Sequence, residues 1–328
     1  MTQTLRNLSA TSQVGLLFII LFGLLLLASL LLFALAFRER ETERGKAWSE
    51  EIKRLSGLLQ TSWIVSLVFW LGWVLGETVA TWLFATVAFF ALREFMTLSP
   101  TRRGDHRSLI LAFFIVLPIQ FYLVIAERFD LFTVFIPVYV FLAIPVVSAL
   151  ANDPQRFLER NAKLQWGIMV CVYGMSHVPA LLLLEFPRWN EAKNAFLVFF
   201  LVFTVQVCMV VQHVMQRWLK KSPRAPQIST SFTWTSFVIG VVAGGLVGAM
   251  LAGITPFKPG QALGMALIAC ASGSLGHLVM KALKRDRGVT NWSGARSVTG
   301  ATGLLDRVDA LCFAAPVFFH SVRWYFDL

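Results

Sequence analysis

VGLLFIILFGLLLLASLLLFALAF, residues Val14 to Phe37, is 24 residues long and carries no charge. As a helix it rises about 36 Å, more than the roughly 30 Å hydrocarbon core of a bilayer. It is too long for the apolar region of a signal peptide and has no clear small-residue cleavage site, so it reads as a retained transmembrane span. Working outward, similar runs lie at about 63–76, 79–92, 109–126, 131–151, 164–184, 195–216, 233–254, 262–283 and 311–326. That predicts about ten spans, the second and third short enough to form a re-entrant hairpin instead. With 57% hydrophobic and 14% charged residues, the chain is too apolar for a soluble globular protein of 328 residues. The expected fold class is an all-α polytopic membrane protein.

The loops carry their charge unevenly. The loop after the first span, the stretches 93–108, 152–163 and 217–232, and residues 281–307 together hold 23 of the 29 lysines and arginines. These are alternate loops of a ten-span chain, so the positive-inside rule places them in the cytoplasm and both termini outside. The net charge of +11 then needs no nucleic acid, because basic loops against an anionic leaflet account for it. Cys171, Cys208, Cys270 and Cys312 fall in or beside spans without zinc-ligand spacing and read as buried thiols.

Polarity divides the chain. Residues 1–37 read as an N-terminal transmembrane anchor. Segment 38–60 reads as a charged surface helix with Trp48, Ile52 and Leu55 on its apolar face. Residues 61–204 read as an apolar bundle in which Glu77 and Glu94 are the main acidic exceptions, Glu94 as a helix-end or interfacial charge. From 205 to 328 the spans fill with Gln, His, Ser, Thr and Gly, for example Gln206, Gln212, His213 and the small-residue run 243–248. Small residues allow close helix packing, and polar groups in a bilayer face protein or water. A polar site facing the cytoplasm is therefore expected on the C-terminal helices.

Its centre is the stretch 303–311, Gly303-Leu304-Leu305-Asp306-Arg307-Val308-Asp309-Ala310-Leu311. Three residues apart on a helix, Asp306 and Asp309 point about 60° apart and can converge on one divalent cation that holds a phosphate-bearing substrate. Duller readings stand beside this one. Lys284, Arg285 and Arg287 also serve as stop-transfer charges, Asp306 and Arg307 as an ion pair near a helix start, and His177 and His213 as packing residues.

The segment from Gly276-His277-Leu278 through Lys284-Arg285 and Gly288-Val289-Thr290-Asn291 to the 303–311 stretch resembles the C-terminal signature of phosphatidate cytidylyltransferases, the CDP-diacylglycerol synthases. Residues 226–234 and Ala91-Leu92-Arg93-Glu94-Phe95 resemble two further motifs of that family. The resemblance is strong over about 205–328, which it marks as a cytidylyltransferase-like catalytic region. It implies a nucleotidyltransferase of phospholipid biosynthesis in the bacterial inner membrane, taking CTP and phosphatidic acid to CDP-diacylglycerol and pyrophosphate with Mg²⁺, as a possible homodimer. On that reading Asp306 and Asp309 are metal ligands, and Lys284, Arg285 and Arg307 contact phosphate. Ser229 and Thr233 donate to phosphate, Gly300 and Gly303 expose backbone N–H groups, and Asn291 faces the substrate.

The departures are specific. Asn291 stands at an acidic position, Met209 and His277 at two more, Phe232 at a lysine and Thr235 at a glutamate, while Thr299-Gly300-Ala301-Thr302-Gly303 replaces a glycine- and histidine-rich loop. These changes keep a second reading open, a catalytically degenerate homologue that binds lipid or nucleotide or partners another lipid enzyme. Secondary transport is a weaker third, since no internal duplication appears.

Overall fold

The computed structural model describes residues 10–38, 56, 59, 63, 66–67, 70–99, 101–186, 194–219, 222–229, 232–289 and 303–328. Helices are the regular structure of these residues, with no strand among them beyond one isolated bridge between Ala225 and Ser229. The long helices are α1 (Ala10–Arg38), α2 (Glu77–Thr97), α3 (Arg103–Ile125), α4 (Phe129–Ala149), α5 (Phe157–Leu183), α6 (Ala195–Leu219), α7 (Trp234–Ile254), α8 (Pro259–Asp286) and α9 (Leu305–Phe326). The first eight are long and apolar enough to cross a membrane. With 22 residues α9 is as long, but it carries Asp306, Arg307, Asp309 and Arg323. The chain is an integral polytopic membrane protein. The expected surface helix at 38–60 falls almost wholly outside the described residues.

Helices run past the apolar runs mainly at their basic ends. The stretch expected at 79–92 is a 21-residue helix, Glu77–Thr97, long enough to span rather than to form half of a re-entrant hairpin. Hydropathy locates only the apolar slab, whereas backbone hydrogen bonding carries the helix on into the polar zone, where Arg and Asp are solvated. Within the slab, π-helical turns at Ala112–Val116, Phe135–Val140 and Ile168–Gly174 lie within a few residues of Pro118, Pro137 and Pro179. Proline lacks the N–H that an α-helical bond requires, and a widened turn accommodates the break.

Two compact units divide at Ala80 and Thr81. In the first, Phe18 packs on Trp73 and Phe22 on Trp63, with ring centroids 5.4 and 5.6 Å apart, and Trp63 Nε1 donates to Ser29 Oγ at 3.1 Å. Gly76, at φ +93°, breaks the helix between 75 and 77.

The second unit is organised by glycine. On α7 a Cβ at Gly240 would stand 2.8 Å from the Cys208 carbonyl oxygen, and one at Gly244 2.5 Å from Cys270 Sγ. One at Gly248 would stand 2.4 Å from Ala266 Cβ. The expected close packing is thus a wedge, with α7 seated against α6 and α8 at distances only hydrogen permits. Helix α9 is gripped in the same way, because a Cβ at Gly276 of α8 would lie 2.2 Å from the Phe313 ring and one at Gly174 of α5 2.3 Å from the Cys312 carbonyl oxygen. His177 is fully buried among Phe132, Tyr173 and Phe319 and donates from Nδ1 to the Tyr173 carbonyl at 2.7 Å, which is the packing role expected of it.

One charged cluster was not foreseen. The Arg160 side chain, 5% exposed, makes an ion-pair contact from Nε to Asp105 at 2.9 Å and donates to the Asp153 carboxylate at 2.7 Å and to the Gln155 and Asp153 carbonyls. It ties the start of α3 to the α4–α5 connection. Desolvation opposes ionisation of Asp153, but the Gln155 N–H and the guanidiniums of Arg102 and Arg160 together hold its carboxyl below the ordinary range. Breaking a buried ion pair by removing one partner leaves charge uncompensated. Arg160→Met is therefore expected to destabilise the fold by about 3 kcal/mol, read as a lower unfolding midpoint in detergent; an unchanged midpoint would mean that the network adds nothing.

Candidate functional site

Helix α9 begins at Leu305, so Asp306 sits in its first turn and Asp309 one turn on, as the spacing requires. Along α8 runs a polar stripe at helical spacing, Ser274, His277 and Lys284, of which His277 and Lys284 meet the aspartates. Lys284 Nζ, in a side chain only 9% exposed, donates to Asp306 Oδ1. His277 Nδ1 lies 2.8 Å from Asp309 Oδ2, and the other carboxylate oxygen accepts the Ala310 N–H at 2.6 Å. Asp309 is 3% exposed and Lys284 7%. Each aspartate thus has a partner on α8 within the same helix pair.

The polar stripe continues toward α6 and α7. Ser274 Oγ donates to Gln212 Oε1 at 2.6 Å, and Ser236 Oγ reaches Gln216 Oε1 at 3.5 Å. Thr233 caps α7, its hydroxyl oxygen accepting the Ser236 N–H at 3.2 Å. Ser229 is buried in the turn closed by its own N–H to the Ala225 carbonyl at 2.7 Å. Of the other expected site residues, Arg285 is exposed, Arg307 half-buried and Gly303 buried at φ +71°. Asn291 and Gly300 lie outside the described residues. Among the described residues, no three His, Cys, Asp or Glu side chains converge as a ready metal cage.

Glu94, expected as a helix-end or interfacial charge, does stand in the last turn of α2 but is buried rather than interfacial. It is 3% exposed, and its two carboxylate oxygens accept the N–H groups of Leu304 at 3.1 Å and Leu305 at 2.8 Å. A helix in the apolar half therefore contributes directly to the start of α9. An acidic residue inside an otherwise apolar helix was the available signal.

Cationic and anionic side chains are thus paired at the start of one helix and the end of its neighbour. The profile of the cytidylyltransferase family matches residues 58–325. The chain belongs to the cytidylyltransferase family. The match reaches from before α2 to the last turns of α9, so it includes Glu94 as well as the α8–α9 pair. A relative in Escherichia coli (strain K12), the uncharacterized protein YnbB, is 31% identical over 308 residues, covering 93% of this chain and 96% of YnbB. Membership of the cytidylyltransferase family makes this a CTP-using transferase embedded in the membrane.

Within that family setting, His277 gains meaning. It stands at a position where the resemblance expects an acid, and it faces Asp309 at hydrogen-bond distance. What would be two carboxylates in opposition is here an imidazole and a carboxylate, with less negative charge between α8 and α9.

Proposed function

We propose that the chain transfers the cytidylyl group of CTP to the phosphate of phosphatidic acid or a closely related membrane lipid. An acceptor phosphate oxygen attacks the α-phosphorus of CTP, the bond from that phosphorus to the β-bridging oxygen breaks, and pyrophosphate leaves with the electron pair. Such chemistry depends on positioning and charge neutralisation more than on a proton-transfer residue. The observation that carries the reading is the part-buried pairing of Lys284 with Asp306 beside His277 with Asp309 on two adjoining helices, within a chain of cytidylyltransferase ancestry.

Lys284 supplies a cation that can turn from Asp306 to a nucleotide phosphate, and Arg285 and Arg307 add positive charge around it. The donor set suits a magnesium ion that arrives with the nucleotide, since such ions are commonly held by one or two carboxylates together with substrate phosphates. Asp306 and Asp309 would hold it. Bound there, it would neutralise the crowded phosphate oxygens. The basic loops at that end support a site on the cytoplasmic face of a bacterial inner membrane.

The His277 substitution favours one second reading, a homologue that binds CTP or lipid without turnover, because less carboxylate charge weakens the hold on a hard cation. Purified full-length protein with CTP, Mg²⁺ and phosphatidate vesicles separates the two. The transfer reading expects CDP-lipid from CTP and at least tenfold less product from UTP or ATP. CTP binding without product across phosphatidate, lysophosphatidate and isoprenyl phosphate acceptors would establish the binding-only reading instead.

A further inference from the structure

Helix α9 has no cap of its own. Its N-cap residue is Leu304, whose side chain accepts nothing, and the chain enters through Gly303 at φ +71°. The first N–H groups of a helix have no intrahelical partner and carry a partial positive charge, which makes such an end attractive to phosphate. Here the end is closed by a carboxylate some 210 residues earlier in the chain, with Glu94 Oε1 on the Leu304 N–H and Oε2 on the Leu305 N–H. Asp306 follows at once, and Asp309 comes one turn later.

We infer that Glu94 is a positioning residue that sets the rotation of the first turn of α9, and so the direction of both aspartates, while denying that turn's N–H groups to substrate phosphate. Two oxygens on two successive N–H groups fix orientation as one could not. A rotation of the turn would carry Asp306 away from Lys284 and Asp309 away from His277. The negative charge also interacts favourably with the helix dipole, and it repels phosphate from that turn while Lys284 on α8, paired with Asp306, attracts it. The triphosphate is thereby kept off a competing anion site at the start of α9.

This inference rests on the transfer reading for its kinetic arm only. The test uses full-length protein in phosphatidylcholine nanodiscs, with Glu94→Gln, which keeps side-chain volume, beside Glu94→Ala. Inorganic phosphate and CTP binding are measured by calorimetry, and turnover is measured with phosphatidate added. Glu94→Ala is expected to bind inorganic phosphate at least tenfold more tightly than the unaltered protein, with a smaller gain in Glu94→Gln. Both variants should lose thirtyfold or more in kcat with the CTP dissociation constant within threefold. A cap that matters only for folding would lower the amount of folded protein without raising phosphate affinity, and that result overturns the inference, as does kcat within threefold of the unaltered protein. If the unaltered protein itself makes no CDP-lipid, the transfer reading fails, and the phosphate measurement alone then decides the role of Glu94.

Discussion

Asp309→Asn is expected to lower turnover by about a thousandfold, in line with the loss of one preorganised charge at a reacting phosphate, while the protein stays folded. The residue is 3% exposed and holds two contacts, His277 Nδ1 and the Ala310 N–H. An amide of the same shape keeps one carbonyl oxygen for Ala310, so the structural cost is on the order of 1–3 kcal/mol. What it cannot keep is the negative charge. With an imidazole already standing opposite Asp309 on α8, the cation arriving with CTP would keep Asp306 alone of the two aspartates. Initial-rate kinetics beside a thermal unfolding curve separate the two effects. Turnover within tenfold of the unaltered protein would place the reacting phosphates elsewhere.

The second large effect comes from a residue with no polar side chain. A Cβ at Gly174 would stand 2.3 Å from the Cys312 carbonyl oxygen, and a backbone atom cannot step aside as a side chain can. Gly174→Ala must therefore push α9 from α5 by about 1 Å, at roughly 1–3 kcal/mol for overpacking. Cys312 lies three residues beyond Asp309 on the same helix, so the shift reaches the carboxylate. A misplacement of about 1 Å costs on the order of a hundredfold in rate. Gly264→Ala is the control, since it lies on α8 with nothing within 4 Å of the added Cβ, and in a helix interior it should be neutral or mildly stabilising. If Gly174→Ala retains full turnover, the close crossing of α5 and α9 does not set the site.

The apolar runs were legible because membrane insertion is decided locally, by some 20 residues at a time, and each described span was found where its run stands. The aspartate spacing was legible for the same reason, since 306 and 309 belong to one helix turn. What escaped was whatever depends on two distant segments meeting. Lys284 and Asp306 were both singled out, yet nothing in the order of residues pairs them. Glu94 was legible as a helix-end or interfacial charge, but not its burial against the Leu304 and Leu305 N–H groups, which carry no residue-type signature. Arg160 was absorbed into the count of loop charges, although Asp105 and Asp153, acids within basic loops, were the clue to a buried tie. The glycines of α7 were legible as a packing surface, but not the helices they would touch.

Joining CTP to a lipid phosphate at the α8–α9 end fixes the ratio of pyrophosphate released to CDP-lipid formed, which phosphorus NMR follows on full-length protein in phosphatidate vesicles with Mg²⁺. One pyrophosphate per CDP-lipid is expected, with neither appearing when phosphatidate is left out or when Asp309→Asn is used. Pyrophosphate released without lipid, or no release from the unaltered protein, would contradict it.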